Sequence, residues 1–234
     1  MPSLTSGNIA NNLAQIQHNI SECCEKYHRD PKTLQLLAVS KTQSADNIRV
    51  AFNAGQRCFG ENYLQEALQK INTLHDLKIE WHFIGAIQSN KTRELAENFS
   101  WVHSVDRLKI AQRLSQQRSP QLPPLNICLQ VNISNENSKS GFKVNEVAAA
   151  VNEISSLPNI NLRGLMAIPA KANSFAKQRE AFAKMQNLLD NLQLTQPQLD
   201  TLSMGMSDDM EAAIAEGSTI VRIGTAIFGA RKPI

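Results

Sequence analysis

A lysine closes the apolar run Leu36-Leu37-Ala38-Val39-Ser40 in a chain of 234 residues. At the end of a buried strand, Lys41 points over a protein rim and not into bulk water. Desolvation there favours the neutral amine, and a neutral amine attacks carbonyl carbon. The competing reading of Lys41 is a side chain that snorkels to solvent from a strand end. A second group of residues lies towards the carboxyl terminus. Gly205-Met206-Ser207-Asp208-Asp209 leads from a strand into a helical segment with an acidic start, and Ser207 is placed to cap it. Gly224-Thr225 follows the last strand run, where a glycine lets an anion approach the backbone and a threonine adds a hydroxyl donor. Arg222 lies two residues earlier, on the same strand face as Ile220 and Gly224. A buried arginine needs a partner. Glu61, Asp106 or another inward carboxylate would serve structurally; a ring nitrogen or an anion would serve a ligand.

Eight short aliphatic runs carry these residues: Leu34 to Lys41, Arg57 to Tyr63, Glu80 to Ala86, Trp101 to Asp106, Leu125 to Ile133, Asn161 to Ile168, Thr201 to Met206 and Thr219 to Gly229. Several are almost continuously apolar, as strands covered on both faces are. Helical patterns lie between them. Ser44 to Ala54, Val144 to Ile154, Phe175 to Leu192 and Asp208 to Ala215 are the clearest. An additional amphipathic helix, Ile9 to Tyr27, comes first, with Ile9, Leu13, Ile16 and Ile20 on one stripe, and Asp30-Pro31 ends it. Alternation of strand and helix predicts parallel strands with right-handed crossovers. Eight units of roughly 29 residues match the smallest closed barrels of this type. The sequence therefore predicts an α/β fold: a single (β/α)8 TIM-like barrel with an extra N-terminal helix, one domain over 1–234. In such a barrel the site lies at the carboxyl ends of the strands, with phosphate bound by the loops after strands seven and eight.

Twenty-four Lys and Arg against 21 Asp and Glu give a formal charge of +3, too even for a dedicated nucleic-acid binder. No apolar run approaches the ~18 residues of a membrane span, and the first residues lack the pattern of a secretory leader. Cys23, Cys24, Cys58 and Cys128 show no zinc spacing, and the adjacent pair makes a poor disulfide, so free thiols in the cytoplasm are expected. No HxH or HExxH pattern occurs, and no metal is expected. His82 and His103, inside strands, read as hydrogen-bonded core histidines. Residues 135–141 form a polar loop that either covers the barrel mouth or is solvated.

The blocks AVSKTQ around Lys41, FGENYLQE from Phe59, WHFIGAIQSNK from Trp81 and VNISNENSKSG from Val131 are long and specific. So are RGLMAIP from Arg163, LSMGMSDDMEAAI from Leu202 and VRIGTAIFGAR from Val221. Together they resemble the YggS/PROSC family of pyridoxal phosphate homeostasis proteins over nearly the whole chain. The resemblance implies a fold-type III pyridoxal 5'-phosphate (PLP) barrel similar to the N-terminal domain of alanine racemase. It implies that Lys41 is the Schiff-base lysine, that Ser207, Gly224 and Thr225 bind phosphate, and that Arg222 faces the pyridine nitrogen. Asn62, Met166 and Ser203 fall near the cofactor, and Lys139 matches a lysine suspected of secondary contact. The implied function is storage, buffering and delivery of PLP, with PLP-dependent apo-enzymes as acceptors, no nucleic acid, no membrane, and a monomer favoured over an obligate oligomer. A PLP-dependent amino-acid racemase is the alternative. It would need a second proton-transfer group. Tyr63 is the one candidate here, because the chain is expected to end with the barrel and to lack a covering domain. A nucleic-acid or protein-interaction module finds no support in any basic patch interleaved with aromatics.

Overall fold

Each of the eight apolar runs coincides with a strand, the sixth of which starts one residue before its run: β1 Gln35–Val39, β2 Cys58–Glu61, β3 Glu80–Phe83, β4 Trp101–Val105, β5 Leu125–Gln130, β6 Ile160–Met166, β7 Thr201–Ser203 and β8 Ile220–Ile223. Every strand pairs in parallel with the next, and β1 pairs with β8, so the ring closes and no sheet edge remains. This architecture comes from a computed structural model, which describes residues 6–136 and 139–229. The helices are α1 Ser6–Lys26, α2 Ala45–Asn53, α3 Leu64–Thr73, α4 Thr92–Asn98, α5 Leu108–Gln117, α6 Val147–Ile154, α7 Phe175–Gln193, α8 Met210–Ala215 and α9 Thr225–Phe228. No helix among the described residues is long and apolar enough to cross a membrane.

Strand alternation sorts the side chains into two cores. Ala38, Phe59, Phe83, Val102, Ile127, Leu165, Leu202 and Val221 point outwards and are buried under the helices. Leu37, Trp101, Cys128, Met166 and Ile220 fill the interior of the ring. Helix α1 supplies Ile9, Leu13, Ile16 and Ile20 to the outer core, each worth roughly 1.5–3 kcal/mol on full burial. It packs against α2, α8 and α9, and the Asn12 amide donates to the Ile227 carbonyl of α9 at 2.9 Å. The leading helix therefore braces the last turn of the barrel.

Two expectations need correction. The final run does not stay extended to Gly229. It stops at Ile223, and Thr225–Phe228 turns into α9. Short apolar runs of this kind carry no periodicity that separates strand from helix. The acidic helix expected from Asp208 begins two residues later, at Met210, with Asp209 at the capping position.

Candidate functional site

A cavity of about 540 Å³ opens at the carboxyl ends of the strands. Lys41, Asn62, Met166, Ser207, Arg222, Gly224 and Thr225 all line it, so seven of the eight residues singled out in the sequence come together. The eighth, Ser203, is fully buried below, hydrogen-bonded to Arg222. Val39, Ile84, Met166 and Ile168 give the cavity apolar walls. Ile168 is two residues beyond Met166, so the period-2 rule for strands could have found it.

Lys41 is half-buried in the turn that follows β1. Its neighbour Thr42 has φ 63°, in the left-handed region that a β-branched residue normally avoids. Glu66 holds Thr42 there, its Oε1 accepting the Thr42 N–H at 2.6 Å. Glu66 is fixed in turn by Lys70, whose ammonium also donates to the Ser40 carbonyl at 2.7 Å and to Glu61 at 2.8 Å. Ser40 Oγ donates to the same Glu61 oxygen at 2.6 Å. Burial pushes the Glu61 carboxyl up, against the opposing pull of Lys70. Sequence reading missed this support, since Lys70 on an amphipathic helix looks like a solvated charge.

Asn62 follows β2, and the β3 loop passes close behind it. A Cβ on Gly85 would lie 2.0 Å from the Asn62 carbonyl oxygen, so only glycine permits the approach. Asn62 Oδ1 is buried and has no hydrogen-bond partner among the described residues.

Arg222 is 4% exposed, and its partners within the fold are not carboxylates, which sets aside the structural alternative. Nη1 donates to the Ser203 carbonyl and, at 2.9 Å, to Ser203 Oγ; Nη2 donates to the Ala167 carbonyl at 2.9 Å. Glu61 belongs to Lys70 and Ser40, and Asp106 pairs with Arg107. Burial pulls Arg222 down to about 10 against the field of Asp209, so the guanidinium stays charged at neutral pH. Ser207 does not cap α8. It is exposed in the preceding turn, where Asp209 Oδ1 accepts the Met206 N–H at 2.6 Å. Gly224 occupies the capping position of α9. The first N–H groups of a helix lack intrahelical acceptors, and here Thr225 and Ala226, at the start of α9, line the cavity.

His82 and His103 are fully buried and hydrogen-bonded to each other at 2.8 Å. At the amino end of the ring, Cys58, Glu80 and His82 bring their ligand-type atoms within 4.8 Å of one another. Gln35 donates to Cys58 Sγ at 2.7 Å, and burial pushes that thiol up to about 12. Tyr63 is 57% exposed and does not line the cavity. Lys139 pairs with Glu136 at 2.9 Å and donates to the carbonyl of rim residue Ile168 at 3.3 Å, without lining the cavity. Asn137 and Ser138, part of the polar loop expected either to cover the mouth or to be solvated, lie outside the described residues.

Residues 11–232 match the family model described as alanine racemase, N-terminal domain. The pyridoxal phosphate homeostasis protein of Pseudomonas aeruginosa is 60% identical over 223 residues, 95% of this chain and 96% of that one. The chain belongs to this family. The pyridoxal phosphate homeostasis protein of Escherichia coli K12 is 53% identical over 226 residues, covering 95% of this chain and 97% of the other. Among solved structures, PipY of Synechococcus elongatus PCC7942 with PLP bound superposes with a TM-score of 0.82 at 38% identity, covering 94% of this chain and all of PipY. The fold of this chain is thus shared with PipY over nearly its whole length.

Proposed function

We propose that this protein binds pyridoxal 5'-phosphate and serves intracellular homeostasis of that cofactor, by storage, buffering and delivery, without turning over a substrate. The carrying observation is that one cavity joins an amine, a donor-only cation, two hydroxyls, the start of a helix and apolar walls. Those are the groups that an aldehyde, a ring nitrogen, a phosphate and a flat aromatic ring require. Asn62 Oδ1 adds a buried polar atom that finds no partner among the described residues. The names of the relatives and the PLP held by PipY support the same reading.

In this reading Lys41 holds the aldehyde carbon as a Schiff base. Ser207, Thr225 and the backbone at Gly224 receive the phosphate. Met166 walls the ring, Asn62 lies beside it, and Ser203 acts through Arg222. When bound, the cofactor supplies an electrophilic carbon and a ring able to draw electrons. Arg222 restricts the second property. A guanidinium donates and does not accept, so a ring nitrogen facing it stays unprotonated and draws electrons weakly. A racemase would also need a proton-transfer group on the opposite face, and exposed Tyr63 stands away from the cavity. Both points favour a carrier.

PLP-requiring apo-enzymes are the acceptors, and neither nucleic acid nor membrane is a partner. Cys23, Cys24, Cys58 and Cys128 are free thiols, which suits the cytoplasm. Exposed apolar side chains outside the cavity, such as Leu122, Val144 and Leu194, are scattered, which suits a monomer. The test is to load the protein with PLP, reduce with borohydride and map the modified peptide. Label on Lys41, lost in Lys41→Ala, is the expected result; label elsewhere overturns the assignment. Loaded protein incubated with single-enantiomer amino acids should leave chirality unchanged, and sustained racemisation would refute the carrier role.

A further inference from the structure

A single file of hydrogen bonds crosses the interior of the ring from its amino end to the cavity. Glu80 Oε1 lies 2.8 Å from His82 Nε2, and His82 Nδ1 lies 2.8 Å from His103 Nε2. His103 Nδ1 lies 2.7 Å from Ser203 Oγ, which lies 2.9 Å from Arg222 Nη1. His82, His103 and Ser203 are completely buried, while the Glu80 side chain is 42% exposed. His82 is clamped against Trp101, with ring planes 4° apart.

The chemistry of the two ends fixes every proton between them. An ionised carboxylate only accepts, and a guanidinium only donates. Burial holds both imidazoles below their ordinary range, so each is neutral and carries one proton. Glu80 must accept, so His82 carries its proton on Nε2 and presents a bare Nδ1. His103 must then donate from Nε2, which leaves its Nδ1 to accept from the Ser203 hydroxyl. With its own proton committed to His103, Ser203 Oγ has lone pairs left for Arg222. One proton order satisfies all four bonds, and it runs in one direction, from Arg222 to Glu80.

We propose that Glu80, His82, His103 and Ser203 are positioning residues for the cofactor site, a directional relay through which a solvent-facing carboxylate at the amino end sets how firmly Arg222 is held beneath the cofactor ring. The inference rests on the cofactor reading above and deepens it, by placing control of retention at the far end of the barrel. If Glu80 ceases to be a pure acceptor, His82 is free to turn its proton to Nδ1. His103 then donates to Ser203, and the serine proton is driven out of the file towards the Arg222 side. Neutralising Glu80, by substitution or by a bound cation, therefore loosens the guanidinium without touching the cavity wall.

The relay is tested first in the unaltered full-length protein, by long-range proton–nitrogen NMR of labelled histidines. His82 and His103 should both appear as neutral rings protonated on Nε2. A proton on Nδ1 of either ring, or an imidazolium at neutral pH, overturns the proposal. The second measurement is PLP release after dilution, in Glu80→Gln, Ser203→Ala and the double variant. Glu80→Gln should release cofactor about fivefold faster or more, the lower end of ordinary coupling between sites, and should lose the single His82 tautomer. In the Ser203→Ala background the same change should have little further effect. Additive effects, or unchanged release, would refute the relay. Glu80→Gln protein should still be fixed by borohydride at Lys41. Unaltered protein that takes up no PLP would instead refute the function proposed above, while the tautomers would still decide the proton order.

Discussion

At the amino end of the barrel, Arg163 grips Asp200 with hydrogen bonds of 3.0 and 2.5 Å, and Arg118 donates to the carbonyls of Ala96, Phe99 and Pro123. Arg29 closes the start of β8 in the same way, through the carbonyls of Ile214 and Ser218. At the carboxyl end, buried Asn62 Oδ1 has no partner among the described residues, a β-branched residue stands in left-handed backbone, and hydroxyls and the start of a helix face a cavity. Cations at one end are consumed in tying loops to strands. Groups at the other are held in place by neighbours and still face open space. Stability is concentrated in the first arrangement and binding capacity in the second, so substitutions at the two ends should separate the two properties.

The largest stability effect is expected at the amino end. Arg118→Ala removes the donor for three carbonyls, and at 1–3 kcal/mol for each buried group left unsatisfied, the loss should reach about 3 kcal/mol. Urea denaturation should show it, with cofactor fixation at Lys41 retained in the folded fraction. Loss of fixation at unchanged stability would break the division between the ends.

The histidine pair joins the two ends and should govern acid sensitivity. Burial holds His82 and His103 below the ordinary 6.5. On unfolding they regain that value, so below about pH 6.5 the unfolded chain binds protons that the native chain does not. Stability should fall with falling pH in that window, by about 1.4 kcal/mol per pH unit for each histidine. Glu80, held low by its bond from His82, acts in the same direction at lower pH. Replacing His103 by Gln should flatten the profile by one histidine's share; an unchanged slope would mean that the native ring protonates in place.

The smallest effect belongs to Thr42→Gly. Relief of left-handed strain, about 1–2 kcal/mol, is opposed by about 0.5–1 kcal/mol of added chain freedom. The thermal midpoint should move little, and upwards. A marked fall would show that the Thr42 side chain itself supports the turn that carries Lys41.

The strand runs and the cavity residues were legible because they depend on local pattern. Lys41, Arg222 and Gly224 stand at strand ends, and the closed fold gathers strand ends. The partners of Arg222 were not legible. Carbonyls of Ser203 and Ala167 carry no mark in a sequence, whereas carboxylates do, so the structural alternative named Glu61 and Asp106. The bond between His82 and His103 depends on register across β3 and β4, where His82 aligns with Trp101 and leaves His103 one step nearer the cavity. Ser207 looked like a cap because it precedes an acidic helix, yet the turn through Asp209 delays that helix to Met210. Lys70 was hidden for a different reason: two of its three partners, Ser40 and Glu61, lie at the ends of β1 and β2 and not on its own helix.

That lysine has one more consequence. All three of its protons already point at oxygens, those of Ser40, Glu61 and Glu66. An ammonium saturated in this way offers no electron pair to an incoming aldehyde. Two lysines stand close to the end of β1, and the fold makes one of them chemically silent. Chemoselectivity of the proposed Schiff base would thus be built into the foundation beneath the Lys41 turn as well as into the turn itself.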